Sequence, residues 1–215
     1  MHPKICLSIG NISYDEALQH LQNVSLAEVR MDLLNFTNEQ YSSVFSRGEC
    51  TIATYRSEKD FENLLDRYIQ AIELGSTCID VDINVPEIYR DKIADLAHIK
   101  GCKVILSYHN YEKTPSRKHL SHIIEKMLTS GADIAKIACM AKSTEDCSRV
   151  LGLYEKYPKL VAFCMGDIGK ITRLTAPLLG APFTYASIVG KEVAPGQMSY
   201  LEVESFIEKI VEGSK

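Results

Sequence analysis

No apolar run in this 215-residue sequence approaches the ~20 residues that a membrane-spanning helix needs. The N-terminus, with Pro3 and Lys4 before the short stretch Ile5-Cys6-Leu7, lacks the long apolar region and cleavage site of a signal peptide. Both absences point to the cytoplasm. Basic charge is not in excess: 24 Lys+Arg against 28 Asp+Glu give a net charge of −4, which argues against a nucleic-acid-binding face. The seven cysteines (Cys6, Cys50, Cys78, Cys102, Cys139, Cys147, Cys164) form no Cys-x-x-Cys pair. Most lie in or beside apolar runs, where cysteine behaves as a small buried hydrophobe, so a disulfide framework is not indicated. No His-x-His or His-Glu-x-x-His spacing suggests a metal. The first turn, Gly10-Asn11-Ile12-Ser13, carries no Gly-x-Gly-x-x-Gly or Walker pattern for a nucleotide.

What remains is a soluble, globular composition with 46% apolar and 24% charged residues, long enough for one sizeable core. Strand-like runs recur at Lys4–Ile9, Leu26–Leu33, Thr51–Arg56, Thr77–Ile83, Lys103–His109, Asp133–Met140, Lys159–Met165 and Phe183–Ile188. Helical spacing fills Glu58–Leu74, Glu87–Ile99, Arg117–Thr129, Thr144–Lys156 and Ser199–Glu212. Thr114-Pro115 and Ser143 are start signals, and Gly75, Gly101 and Gly131 fall where helices should stop. Eight strands alternating with helices imply parallel pairing, and eight repeats suit a closed (β/α)8 TIM barrel over residues 1–215, a single domain.

Strands of such a barrel are covered on both sides and should read as continuous apolar runs. Several do not. Glu28, Arg30 and Asp32 alternate with apolar residues, Arg56 ends the third strand, and Asp80 and Asp82 alternate in the fourth. His109 ends the fifth strand, and Lys136 sits mid-strand between Ala135 and Ile137. A buried unpaired charge costs several kcal/mol, roughly, so these groups must pair with one another or with a ligand at the barrel mouth. Lys136 has two readings: an internal ion pair with a carboxylate such as Glu28, or an amine nucleophile that attacks a ketone. Burial and a nearby cation such as Arg56 would favour the neutral amine. His109, one strand earlier and at the same level, exchanges protons near neutral pH. Arg173, in Gly169-Lys170-Ile171-Thr172-Arg173-Leu174, is either a carboxylate clamp or a surface helix arginine. Gln197, in the turn Ala194-Pro195-Gly196-Gln197, belongs to a loop able to close over a ligand.

These segments together resemble the type I 3-dehydroquinate dehydratases. The residues that match are Glu28-Val29-Arg30-Met31-Asp32, Tyr55-Arg56-Ser57, Ser107-Tyr108-His109-Asn110-Tyr111-Glu112-Lys113-Thr114-Pro115, Lys136-Ile137-Ala138, Thr172-Arg173-Leu174 and Ala194-Pro195-Gly196-Gln197. The resemblance implies dehydration of 3-dehydroquinate to 3-dehydroshikimate in the shikimate pathway, by a homodimer needing no metal or organic cofactor. It implies that Lys136 forms an imine with the C3 ketone. His109 then removes a C2 proton, returns one to the departing C1 hydroxyl, and is oriented by Asp60, where the family usually has glutamate. Glu28, Arg30 and Arg56 would hold ring hydroxyls, Arg173 the carboxylate, and Gln197 a hydroxyl. Val193 stands where members commonly carry serine, which implies weaker loop closure. The barrel-bottom hairpin that often precedes the first strand is expected to be missing. Two other readings stay open, a class I aldolase with a phosphate site after the seventh and eighth strands, and a ligand-binding barrel without catalysis.

Overall fold

The computed structural model describes residues 3–212; residues 1–2 and 213–215 of the expected 1–215 domain lie outside it. Eight strands alternate with eight α-helices: β1 (Lys4–Ile9), α1 (Tyr14–Leu21), β2 (Leu26–Arg30), α2 (Asn38–Phe45), β3 (Cys50–Thr54), α3 (Phe61–Glu73), β4 (Cys78–Asp82) and α4 (Glu87–Ile99). The second half follows as β5 (Lys103–Asn110), α5 (Arg117–Thr129), β6 (Ile134–Met140), α6 (Thr144–Leu151), β7 (Leu160–Met165), α7 (Lys170–Thr175), β8 (Phe183–Ser187) and α8 (Tyr200–Glu212). All strand pairs are parallel, in the order β7-β6-β5-β4-β3-β2-β1-β8. This is the expected (β/α)8 barrel, nearly closed. Among the described residues no ladder joins β7 to β8. Side chains bridge that seam, with the Phe163 and Tyr185 rings 5.8 Å apart and Thr184 Oγ1 donating to the Arg173 carbonyl at 2.7 Å. No helix among the described residues is long and apolar enough to cross a membrane.

Three of the boundaries that differ from the sequence reading do so for local reasons. β2 stops at Arg30, and Met31–Leu33 turns into a 3-10 helix, so Asp32 is not a strand residue. Arg56 follows β3 rather than ending it. Helix α6 gives way at Gly152 to a 3-10 turn, Gly152–Glu155. The short α1 and α2 were not anticipated, although Ser13/Glu16 and Thr37/Gln40 form capping boxes legible in sequence. Gly75, Gly101 and Gly131 do end helices, at φ of 99°, 74° and 87°, where a Cβ would be strained.

Period-2 alternation decides what fills the barrel. Cys6, Leu26, Ile52, Cys78, Ile105 and Phe183 belong to one apolar cluster, while Leu7, Ala27, Ala53, Ile79 and Leu106 face the helix layer in a second. Two residues further along the same inner face come Ser8, Glu28, Thr54, Asp80, Ser107 and Tyr185, and on β6 Lys136. The interior therefore changes from apolar to ionic within one pleat, toward the C-terminal ends of the strands. Burial pushes the Cys102, Cys139 and Cys164 thiols up to about 12, as inert packing residues require.

Helix α3 braces the ionic end. The buried Tyr68 hydroxyl reaches the Tyr55 and Asp80 carbonyls and accepts the Tyr55 N–H at 3.2 Å, tying β3 to β4. Tyr68→Phe removes that tie and leaves buried backbone groups unmatched. Its expected cost is about 1–3 kcal/mol of unfolding free energy in urea titrations; an unchanged midpoint would show that the tie contributes nothing.

Candidate active site

Asp80 on β4 lies at the centre of the ionic layer and is fully buried. Its Oδ2 meets Lys136 Nζ at 2.7 Å, and its Oδ1 meets Arg56 Nη2 at 2.9 Å. The same Oδ1 accepts the Ser107 hydroxyl at 2.6 Å. Burial alone would raise this carboxyl, but Arg56 and Lys136 outweigh it and hold Asp80 far below the usual carboxylate range. Glu28 on β2 is the second carboxylate. It accepts from Ser8 Oγ at 2.9 Å and Thr54 Oγ1 at 3.0 Å and lies 3.6 Å from Lys136 Nζ. Burial would raise it too, and Lys136 and Arg30 reverse the sign. The immediate neighbours of Lys136 are thus carboxylates, with Arg56 on the far side of Asp80, and of the two readings left open the ion pair describes the resting geometry.

His109 stands one pleat nearer the mouth than Lys136, because β5 pairs with β6 as Ser107↔Lys136 and His109↔Ala138. The two were expected at one level. His109 Nδ1 lies 2.9 Å from Asp82 Oδ2, while Asp82 Oδ1 accepts the Asn84 N–H at 2.9 Å. A carboxylate can only accept, so Nδ1 bears the proton and Nε2 is left free. Desolvation lowers the His109 pKa despite Asp82, with help from Arg56 and Lys136, and keeps the ring neutral near pH 7. Asp60, expected to orient this histidine, is exposed at the N-cap of α3, where its Oδ1 accepts the Asn63 N–H at 3.1 Å. Its side chain is committed to the helix terminus, and Asp82 stands beside the histidine instead.

Arg173 is no surface arginine. On α7 it is 1% exposed, with its guanidinium 4.1 Å over the Phe163 ring. Nη2 reaches the Pro195 carbonyl at 3.4 Å, whereas Nε and Nη1 have no hydrogen-bond partner among the described residues. Burial pushes its pKa down to about 10, so the cation persists at neutral pH. Arg30 is forked onto Asp32 at 3.0 and 2.7 Å. Glu28, Arg30, Arg56, His109, Lys136, Arg173 and Gln197 all line one cavity of about 60 Å³. Arg56, His109 and Tyr111 also border an adjoining cleft of about 560 Å³ that opens to solvent.

The segment after β8 closes the smaller cavity. Gln197 Oε1 accepts the Val193 and Ala194 N–H groups at 2.8 and 3.2 Å, and its Nε2 donates to Ser8 Oγ at 3.1 Å. The loop is thereby linked through Ser8 to Glu28. Val193 contributes its backbone N–H and a methyl group that sits where a Cβ on Gly10 would come within 3.0 Å. Gly196, at φ 71°, lets the loop touch the β7 turn, since a Cβ there would lie 2.5 Å from the Gly166 carbonyl oxygen. Gly196 and Gly166 are thus used for loop-to-loop contact, where an aldolase of phosphorylated sugars would use glycines after the seventh and eighth strands to hold phosphate.

Comparison with known proteins agrees with this arrangement. A family model described as Type I 3-dehydroquinase matches residues 5–212. The chain belongs to the type I 3-dehydroquinase family. Its relatives include the 3-dehydroquinate dehydratases of Methanocaldococcus jannaschii, 34% identical over 90% of this chain and 93% of that protein, and of Pyrococcus abyssi, 33% identical over 94% and 95%. Among solved structures, the 3-dehydroquinate dehydratase of Aquifex aeolicus superposes with a TM-score of 0.83 at 28% identity, covering 97% of this chain and 99% of that one. The Clostridium difficile enzyme superposes at 0.86 with 24% identity over 99% and 93%, a likeness of fold. The chain is accordingly an enzyme of the hydro-lyase class.

Within this family member the sequence reading placed Asp80 and Asp82 among the charges of the barrel mouth, from their alternation in a covered strand, but gave neither a role. It missed Tyr185, which looked like ordinary core. The titration pattern has a consequence for stability. His109 has a folded pKa below the ordinary 6.5, so the unfolded chain takes up that proton first as pH falls. Stability should therefore decline below pH ~6.5, by at most about 1.4 kcal/mol per unit from this group. The depressed Asp80, Asp82 and Glu28 contribute fully above ordinary carboxylate values and lose their contribution only in stronger acid. Urea midpoints from pH 7 to 5 should fall less in His109→Asn than in the parent; parallel slopes would contradict the assignment.

Proposed function

We propose that this chain dehydrates 3-dehydroquinate to 3-dehydroshikimate through an imine at Lys136, with His109 as acid and base. The observation that supports it most is the pairing of a buried amine with a buried arginine holding unused donors in one small cavity. A keto acid answers both: its ketone offers the carbon for Lys136, and its carboxylate supplies the counter-charge that the buried Arg173 guanidinium lacks. Lys136, an ammonium in the resting ion pair, passes one proton to His109 and attacks C3 as the amine; that proton and a second N–H proton leave with the carbonyl oxygen as water, producing an iminium that acts as an electron sink. His109 Nε2 removes the C2 proton and returns it to the C1 hydroxyl, which departs as water. Hydrolysis of the conjugated imine frees Lys136. Glu28, Arg30 and Arg56 hold ring hydroxyls, and Gln197 meets one from the loop. Asp82 keeps His109 in the tautomer that leaves Nε2 basic.

About 60 Å³ is well below the ~300–1,000 Å³ of ordinary ligand sites. The adjoining cleft of about 560 Å³, which shares Arg56, His109 and Tyr111, offers the way in, and the segment 188–197 covers the inner cavity as a loop able to open and reclose. A homodimer acting in the cytoplasm, with no metal or organic cofactor, completes the reading. Its support is family membership and seven cysteines without a disulfide.

Borohydride added during turnover should leave a mass adduct on the peptide containing Lys136, and intact protein without adduct would reject the imine. His109→Ala should keep the adduct while losing about 10²–10⁴ in turnover. Asp82→Asn should cost more turnover than Asp60→Asn; the reverse order would return the orienting role to Asp60.

A further inference from the structure

The floor beneath Lys136 is aromatic. Lys136 Nζ lies 4.0 Å from the centre of the Tyr185 ring, inside the ~6 Å reach of a cation–π contact. Tyr185 is 2% exposed and held from two sides, with Phe183 edge-on at 5.3 Å and 72° and Phe163 at 5.8 Å and 59°. Its hydroxyl has no hydrogen-bond partner. What this residue presents to Lys136 is therefore the face of its ring.

We propose that the Tyr185 ring is a catalytic residue that stabilises the cationic imine formed at Lys136, an inference that rests on the Schiff-base reading above. Imine formation converts R–NH3⁺ and O=C into R–NH⁺=C and H2O, so charge is conserved while nitrogen keeps one of its three N–H donors. The hydrogen bond to Asp80, 2.7 Å in the resting state, weakens as those protons go. Attraction to a ring face needs no N–H and acts on the charge itself, so its share grows as the iminium forms. Loss of the C2 proton neutralises the iminium, and the ring's contribution then falls away. The effect therefore concentrates on how much imine accumulates and is smaller on overall turnover.

The test replaces Tyr185 in the full chain with phenylalanine and with its mono-, di- and trifluorinated forms, which keep shape while draining the ring face of negative charge. The readout is the rate of borohydride inactivation at saturating 3-dehydroquinate, with the Lys136 peptide followed by mass. Tyr185→Phe should stay within about twofold of the parent and melt no lower, because an unpartnered buried hydroxyl is lost. Successive fluorines should slow trapping stepwise, by about tenfold across the series, and Tyr185→Leu should fall at or below the bottom. A flat fluorine series with a normal parental adduct would overturn the role of the ring alone. Absence of any adduct in the parent would overturn the imine and this proposal together.

Discussion

A carboxylate with no exposed surface at the centre of a protein barrel is tolerable only if cations surround it. Asp80 meets this condition by binding Lys136 at 2.7 Å and Arg56 at 2.9 Å, with the Ser107 hydroxyl adding a third contact. Removing one partner from a buried pair typically costs 3–5 kcal/mol or roughly that, since the other charge is left without water or counter-ion. The layer is consequently interdependent. Glu28 answers the remaining charge on Lys136, Ser8 and Thr54 fill its lone pairs, and Tyr68 fixes the Asp80 backbone from outside. The barrel supplies the geometry for this by alternation, placing an apolar layer beneath and a wet mouth above.

Against that balanced set, Arg173 is out of balance. Arg30 has Asp32, Arg56 has Asp80 and His109 has Asp82, whereas Arg173 has a ring face, one carbonyl and two unused donors. A buried guanidinium without a carboxylate is costly unless a ligand provides one. The loop that covers the cavity is joined to the same network through Gln197, Ser8 and Glu28. Loop position and the surroundings of Lys136 are therefore connected by hydrogen bonds, and Arg173 touches the same loop at the Pro195 carbonyl.

Much of this was legible before any coordinates. Helices Glu87–Ile99 and Arg117–Thr129 were bounded to the residue, because glycine stops and apolar periodicity are local signals. The even-spaced charges of β2 and β4 announced a polar interior for the same reason. Asp60 was placed only loosely, because sequence distance from Arg56 cannot tell whether an aspartate turns toward a histidine or caps the next helix; in the folded chain it caps α3 at Asn63. Tyr185 resembled any aromatic in a buried strand, and only its position under Lys136 distinguishes it.

The sequence by itself determined the βα repeat, the inward face of each strand and the chemical types gathered at one end of the barrel. These follow from dihedral periodicity and from the cost of burying unpaired charge, both properties of short segments. Tertiary structure decided which charge meets which: Asp80 with Lys136 across two strands, Asp82 with His109, Arg173 with no carboxylate, and the open seam between β7 and β8. Those outcomes depend on strand register and barrel curvature, which bring together residues tens of positions apart to within a few ångströms, and electrostatic pairing is decided over that short distance.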